Sequence, residues 1–174
     1  MFQKSTSATA AMQVLAETRT QKELAIDSYV TPALISNQIK GKRTVSLEQA
    51  EQLIDSYNEP QSTYLFVHEF SNGMIPPLLN GLDNHHASLT CRFELEVTEA
   101  VNALKSGLET MTFNLRKGDM LQREAAKQAI SEITDVIATA LTLNTSIAKA
   151  FNINLQQILE SRDKFYQKNG LVKE

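Results

Sequence analysis

Thr31-Pro32 and Gly41 bracket a stretch that has few ways to fold. Threonine is a strong helix N-cap, and proline is favoured at the first helical position, where its missing N–H costs nothing. Glycine takes the left-handed geometry of a helix C-terminus without penalty. Between these marks Ile35 and Ile39 stand four apart and give the helix one apolar side. Just upstream, Thr20 and Glu23 have the spacing of a capping box, followed by Leu24 and Ala25 as a buried face. Ser28-Tyr29-Val30 is left to turn the chain. The spacing predicts two short capped helices joined by a tight turn, which is the form of a helix-turn-helix.

The residues opposite the apolar side suggest a task. Ser36, Asn37 and Lys40 project outward from the second helix, and Lys42 and Arg43 lie just beyond it. Asparagine can pair with an adenine edge, serine with either strand, and the three cations with phosphates. No acidic residue falls between Thr31 and Thr44, so a local charge of +3 stands on a chain whose net charge is −3. The bland reading of the same residues is a solvated hairpin with a basic end.

Gln21-x-Glu23-Leu24-Ala25, Val30-Thr31, Ile35-Ser36, Gly41-Lys42-Arg43 and Ser46-Leu47-Glu48 together resemble the helix-turn-helix domain of the phage-repressor (Cro-type, XRE) family, over about Ala8 to Tyr57. In that family the second helix enters the major groove. By position, the resemblance implies that Pro32, Ala33, Ser36 and Asn37 face base edges. Gln21, Lys40 and Lys42 then lie near the backbone, and Thr31 and Arg43 complete the DNA-contacting set. Ser28-Tyr29 stands where the family usually has Leu-Gly, and Gln38 stands at a usually apolar position.

The remainder reads as helical throughout. Ala8 to Thr18 carries Met12 and Leu15 at packing distance, and Ser46 to Tyr57 opens with a second capping-box spacing, Ser46 and Gln49. The turn-rich Asn58 to Ser62 marks a domain boundary, and 59–87 is expected to be a loop-rich connection in which Tyr64 to Phe70 can be helical. Ser88 to Leu115 bears an apolar stripe of Phe93, Val97, Ala100, Leu104, Leu108, Met111 and Leu115, closed by Arg116 to Asp119. Met120 to Leu143 follows, with Leu121, Ala125, Ala129, Ile133, Val136, Ile137, Ala140 and Leu141 inward. Asn144-Thr145 is expected to interrupt it, before a short helix from Ser146 to Phe151 and a last one from Leu155 to Lys168. The expected fold is therefore all-α: a helix-turn-helix domain (1–58), the connection (59–87), and a helical bundle with two long helices (88–174) that is a natural dimerisation element.

Two spacings in the bundle can carry chemistry. Glu96 and Glu99, and again Glu132 and Asp135, stand three apart on successive long helices. Four carboxylates converging between antiparallel helices would repel unless a hard divalent cation such as magnesium joined them. Magnesium held this way can clamp a triphosphate and orient a water. The pattern resembles the MazG-like all-α nucleotide pyrophosphohydrolases, with Ile147-Ala148, Phe151 to Asn154 and the late Arg162, Lys164 and Lys168 in that family's order. An inert pair of solvated helix faces fits the spacing too.

Residues 1–58 hold six basic and six acidic side chains, against eleven and fourteen in 59–174, as suits a DNA reader joined to something else. His68, His85 and His86 lack a third ligand at metal spacing and read as loop residues. Cys91 is the single cysteine, which excludes a disulfide framework and a cysteine-based zinc site, and its place is as a small apolar side chain. The N-terminus has no apolar leader and no segment approaches a membrane span, so a cytoplasmic protein is expected. The reading that follows is a double-stranded DNA-binding transcription regulator acting as a dimer, with no cofactor. The alternative is a magnesium-dependent nucleotide pyrophosphohydrolase with a DNA-reading domain, and a third possibility is a protein-docking module such as an antirepressor partner.

Overall fold

Caps decide where the first helices begin and end. In the computed structural model, which describes residues 6–113 and 120–172, α1 spans Thr6–Ala16, α2 Gln21–Asp27 and α3 Pro32–Ile39. The Thr20 N–H donates to Glu23 Oε2 at 2.7 Å while the Glu23 N–H donates to Thr20 Oγ1 at 3.2 Å, so the capping box is complete. Thr31 Oγ1 accepts from the Leu34 N–H at 3.3 Å, with Pro32 in the first turn of α3. At the far end Gly41 has φ +65°, and the Gly41 and Lys42 N–H groups return to Gln38 and Asn37 carbonyls at 2.9 and 2.8 Å. That double bond is the Schellman arrangement. The end of α2 repeats it, with the Val30 N–H on the Ala25 carbonyl at 2.9 Å and Tyr29 at φ +54° in the glycine position. A side chain in that region costs about 1–2 kcal/mol.

The helices α4 (Leu47–Ser56) and α5 (Pro60–Phe70) complete this part of the fold. Its core joins Ala8, Ala11, Met12 and Leu15 of α1 to Leu24, Ala25, Ile35, Ala50, Leu53, Leu65 and Phe66. Leu47, at the start of α4, is exposed. The Ser46–Gln49 capping box is only half made. Ser46 Oγ accepts from the Gln49 N–H at 3.2 Å, but the Gln49 side chain turns inward to pair with Gln38. The expected connection, 59–87, opens with a regular helix, Pro60–Phe70, because Leu65 and Phe66 give α5 an apolar face to bury.

Three longer helices follow: α6 (His86–Phe113), α7 (Met120–Phe151) and α8 (Leu155–Lys168). All eight elements among the described residues are α-helices, with no strand, so the protein is all-α. No helix among them is long and apolar enough to cross a membrane. Two compact units emerge, Met1–Pro77 with Ala148–Glu174 and Leu78–Ile147, a division different from the expected 1–58, 59–87 and 88–174.

In the Leu78–Ile147 unit, α7 runs through Asn144-Thr145 without the expected interruption. The Thr139, Thr142 and Thr145 hydroxyls donate to carbonyls of their own helix at 2.8 Å, which satisfies them where they are buried. Thr142 Oγ1 also accepts from the Leu79 N–H at 3.0 Å, and Ser146 Oγ donates to the Asn84 carbonyl at 2.7 Å. The inward faces differ from the expected stripes. On α6, Leu89, Glu96 and Ala100 are buried, Phe93 and Val97 half-buried, and Leu104 exposed. On α7, Ala129 is buried, whereas Ile133 and Ile137 are exposed. The side chains of Leu108, Met111 and Leu121, with Leu115 and the Arg116–Asp119 cap, lie outside the described residues.

Candidate nucleic-acid interface and carboxylate cluster

Ile35 and Gln38 turn α3 inward, and this sets everything on its other side. At about 100° per residue, Pro32, Ala33, Ser36, Asn37 and Lys40 fall within an arc of about 140° facing away from that pair. Thr31, Pro32, Ala33 and Lys40 are exposed, and Ser36 and Asn37 half-exposed. Gln21 is exposed at the start of α2, and Lys42 and Arg43 are exposed past the end of α3. The ion pairs among the described residues engage Arg92, Lys127 and Lys149. Lys40, Lys42 and Arg43 have no carboxylate partner among them, so this end of the helix pair carries uncompensated positive charge.

Three devices hold the α2–α3 pair, none of them anticipated. Gln38 and Gln49 exchange side-chain amide bonds at 2.7 and 3.0 Å, and both are buried. Gln38 also reaches the Thr44 carbonyl at 3.0 Å, while Gln49 donates to Ser28 Oγ at 3.4 Å, tying α3, α4 and the α2–α3 turn together. The signal was a glutamine three residues from Ile35 on an otherwise apolar face, which needs a partner once buried. Second, Gln13 of α1 donates to the Ile39 carbonyl at 3.1 Å. Third, the Tyr57 hydroxyl donates to the Asp27 carboxylate. Burial, then that bond and the Asp27 charge, push the Tyr57 phenol up to about 12. Arg19 stands 5.2 Å from the centre of the Tyr57 ring. Glu23 is held below the ordinary carboxylate range, chiefly by the Thr20 backbone N–H.

The second candidate site is on α6 and α7. Glu96, Glu99 and Glu132 each bring a carboxylate oxygen within 4.8 Å of the others. Asp135, expected as the fourth member, is exposed and is not in the group, so the four-carboxylate convergence is corrected to three. The Glu96 side chain is only 3% exposed and pairs with Arg92 one turn earlier. Glu132 is half-buried and accepts from the Gln128 amide, while Glu99 is exposed. Three hard oxygen donors from two helices suit magnesium, with Arg92 as an internal cation already on one of them.

The histidines take separate roles. His68, on α5, has Nδ1 2.6 Å from the Ile75 carbonyl past the helix end, and the His85 and His86 rings stack at 4.5 Å where α6 begins. Cys91 is exposed on α6 rather than packed. No family model matches the chain, and neither does any curated protein or solved structure with which it was compared.

Proposed function

We propose that this protein is a sequence-specific double-stranded DNA-binding transcription regulator of the phage-repressor type, acting in the cytoplasm as a homodimer. One observation carries the reading. A short helix capped at both ends, α3, turns an outer face of Pro32, Ala33, Ser36 and Asn37 to solvent, bordered by Lys40, Lys42 and Arg43, which have no carboxylate partner among the described residues. Base edges would be read by Ser36 and Asn37, with apolar contact from Pro32 and Ala33. Phosphates would be met by Gln21, Thr31 and the three cations. A single recognition helix buries too little surface for tight binding, so two copies are needed. The dimer is supported by Ile130, Ile133 and Ile137, spaced three and four apart on α7 and exposed, with Val101 and Leu104 exposed on α6. A genomic pull-down followed by a mobility-shift assay tests the reading. Enrichment of one two-fold-symmetric site is expected, and uniform weak retention of all DNA would defeat it.

A second reading rests on the convergence of Glu96, Glu99 and Glu132. Under it the protein is a MazG-like nucleotide pyrophosphohydrolase, those three carboxylates hold magnesium, and the ion supplies the charge that polarises a triphosphate and a water. A ligand that binds only the folded state raises its melting temperature. Millimolar magnesium should then stabilise the protein, and Glu132→Gln should abolish that gain together with hydrolysis. The regulator reading expects neither effect.

A further inference from the structure

Helix α8 is a light cover. Of its residues only Leu155 is buried. Beneath it, within the Met1–Pro77 and Ala148–Glu174 unit, lies a cavity of about 260 Å³ walled by Ile54, Tyr64 and Val67 on one side and Leu155 and Leu159 on the other. Among the described residues no charged side chain lines it. We propose that this cavity is a binding site for a small neutral molecule, mostly apolar and carrying one hydrogen-bond acceptor.

The walls set each part of that description. Ligand pockets for drug-sized molecules run from about 300 Å³ upward, so this one admits a single ring or a short chain. A charged ligand would give up its hydration with no opposite charge to replace it. The acceptor follows from the donors on offer. The Tyr57 hydroxyl is already committed to Asp27, the Thr63 hydroxyl to the Glu59 carbonyl at 3.1 Å, and the Gln156 amide to Glu160 at 3.2 Å. Asn58, also on the lining, is exposed, so its amide is open to water. Tyr64 is half-buried, and its hydroxyl has no partner among the described residues. Burial raises the Tyr64 pKa, which keeps the phenol neutral and its O–H available as a donor at ordinary pH. An occupant would also give Leu159, which is exposed, apolar surface to pack on. The site stands independently of the DNA reading, because occupancy is measured on the protein alone.

Acetophenone and ethylbenzene have nearly the same shape and differ in the carbonyl acceptor, so ligand-observed NMR with both on the full chain tests the site. Both should bind in the millimolar range or tighter. Tyr64→Phe should weaken acetophenone by about fivefold, the worth of one hydrogen bond, and leave ethylbenzene within about twofold. Val67→Trp, at a partly exposed wall position, should fill the space and weaken both by about tenfold or more with the helical circular dichroism unchanged. Absence of binding by either probe would overturn the inference. So would binding that Val67→Trp leaves untouched, or an equal loss of both probes in Tyr64→Phe. If the probes fail to bind and Val67→Trp instead turns a dimer into a monomer, the cavity belongs to an interface between copies and the small-molecule assignment falls.

Discussion

The α2–α3 pair and the long helices α6 and α7 settle their inward faces by different rules. In the pair, the periodicity marks Leu24, Ala25 and Ile35, which are buried, and Ile39, which is half-buried, and the helix ends are closed by groups a few residues away. The one polar side chain that α3 buries, Gln38, finds its complement in Gln49. In the long helices Glu96, Thr139, Thr142 and Thr145 are buried while Ile130 and Ile137 stand 65% and 43% exposed. On α6 the inward direction is turned by roughly a sixth of a turn from the centre of the apolar stripe, which carries Glu96 in and Leu104 out. A short helix with local caps and one neighbouring face has little choice of orientation. A long helix with apolar residues on more than one side takes its orientation from whatever packs on it.

The largest expected difference between the two regions is in what a lost isoleucine does. Ile35→Ala should destabilise the protein by about 2–5 kcal/mol, independent of protein concentration, because Ile35 is fully buried. Ile137→Glu should leave the helical content intact and convert a dimer to a monomer, since a charge set into an apolar contact between copies is left unpaired. Urea unfolding at two protein concentrations and light scattering read both. An unchanged mass for Ile137→Glu would make that stripe ordinary surface, where substitutions move stability by less than about 0.5 kcal/mol.

A smaller effect tests whether the buried polar pair belongs to the tight region. Gln38→Ala should cost about 1–3 kcal/mol, because it leaves the Gln49 amide buried without its partner. Replacing both, Gln38→Leu with Gln49→Leu, should cost less than the single change if the amides act on each other. A double variant as weak as the sum of two singles would mean they act separately.

How much of this was legible depended on range. Thr20, Glu23, Thr31, Pro32 and Gly41 act within one turn of chain, so the α2–α3 boundaries and the outer face could be read from residue order alone. Gln49 shows the limit. It stands three residues after Ser46 at capping-box spacing, yet its side chain is drawn eleven residues back to Gln38. Burial makes an unpartnered amide more costly than an incomplete cap at an exposed helix start, so the distant partner wins. The break expected at Asn144-Thr145 failed for a related reason. Propensity disfavours those residues, but hydroxyls bonded to their own helix remove the objection once the helix is buried. Spacing put Glu96 beside Glu99 and Glu132 beside Asp135, whereas bringing Glu132 to the first pair and leaving Asp135 out depends on the helix orientation, which spacing does not contain.

A still smaller effect probes the Tyr57–Asp27 link that closes the tight region. The folded-state pKa of Tyr57 is raised, to about 12, above the ordinary tyrosine value of 10.0. Its contribution is therefore complete below pH 10 and lost as pH rises through the folded value. The wild-type chain should lose an increment of about 1 kcal/mol relative to Tyr57→Phe between pH 10 and 12. Parallel stability profiles for the two proteins over that range would show that the hydroxyl does not hold α2 to the end of α4.

The most direct measurement of the central claim is the affinity of Asn37→Ala for the enriched DNA site and for random duplex, each across a series of salt concentrations. Base reading by Asn37 predicts a loss of about 1–3 kcal/mol on the enriched site, little change on random DNA, and an unaltered salt slope. Lys40→Ala in the same series should weaken both duplexes and make the salt slope shallower. If Asn37→Ala binds both duplexes as the wild type does, the outer face of α3 does not read DNA, and the account is contradicted.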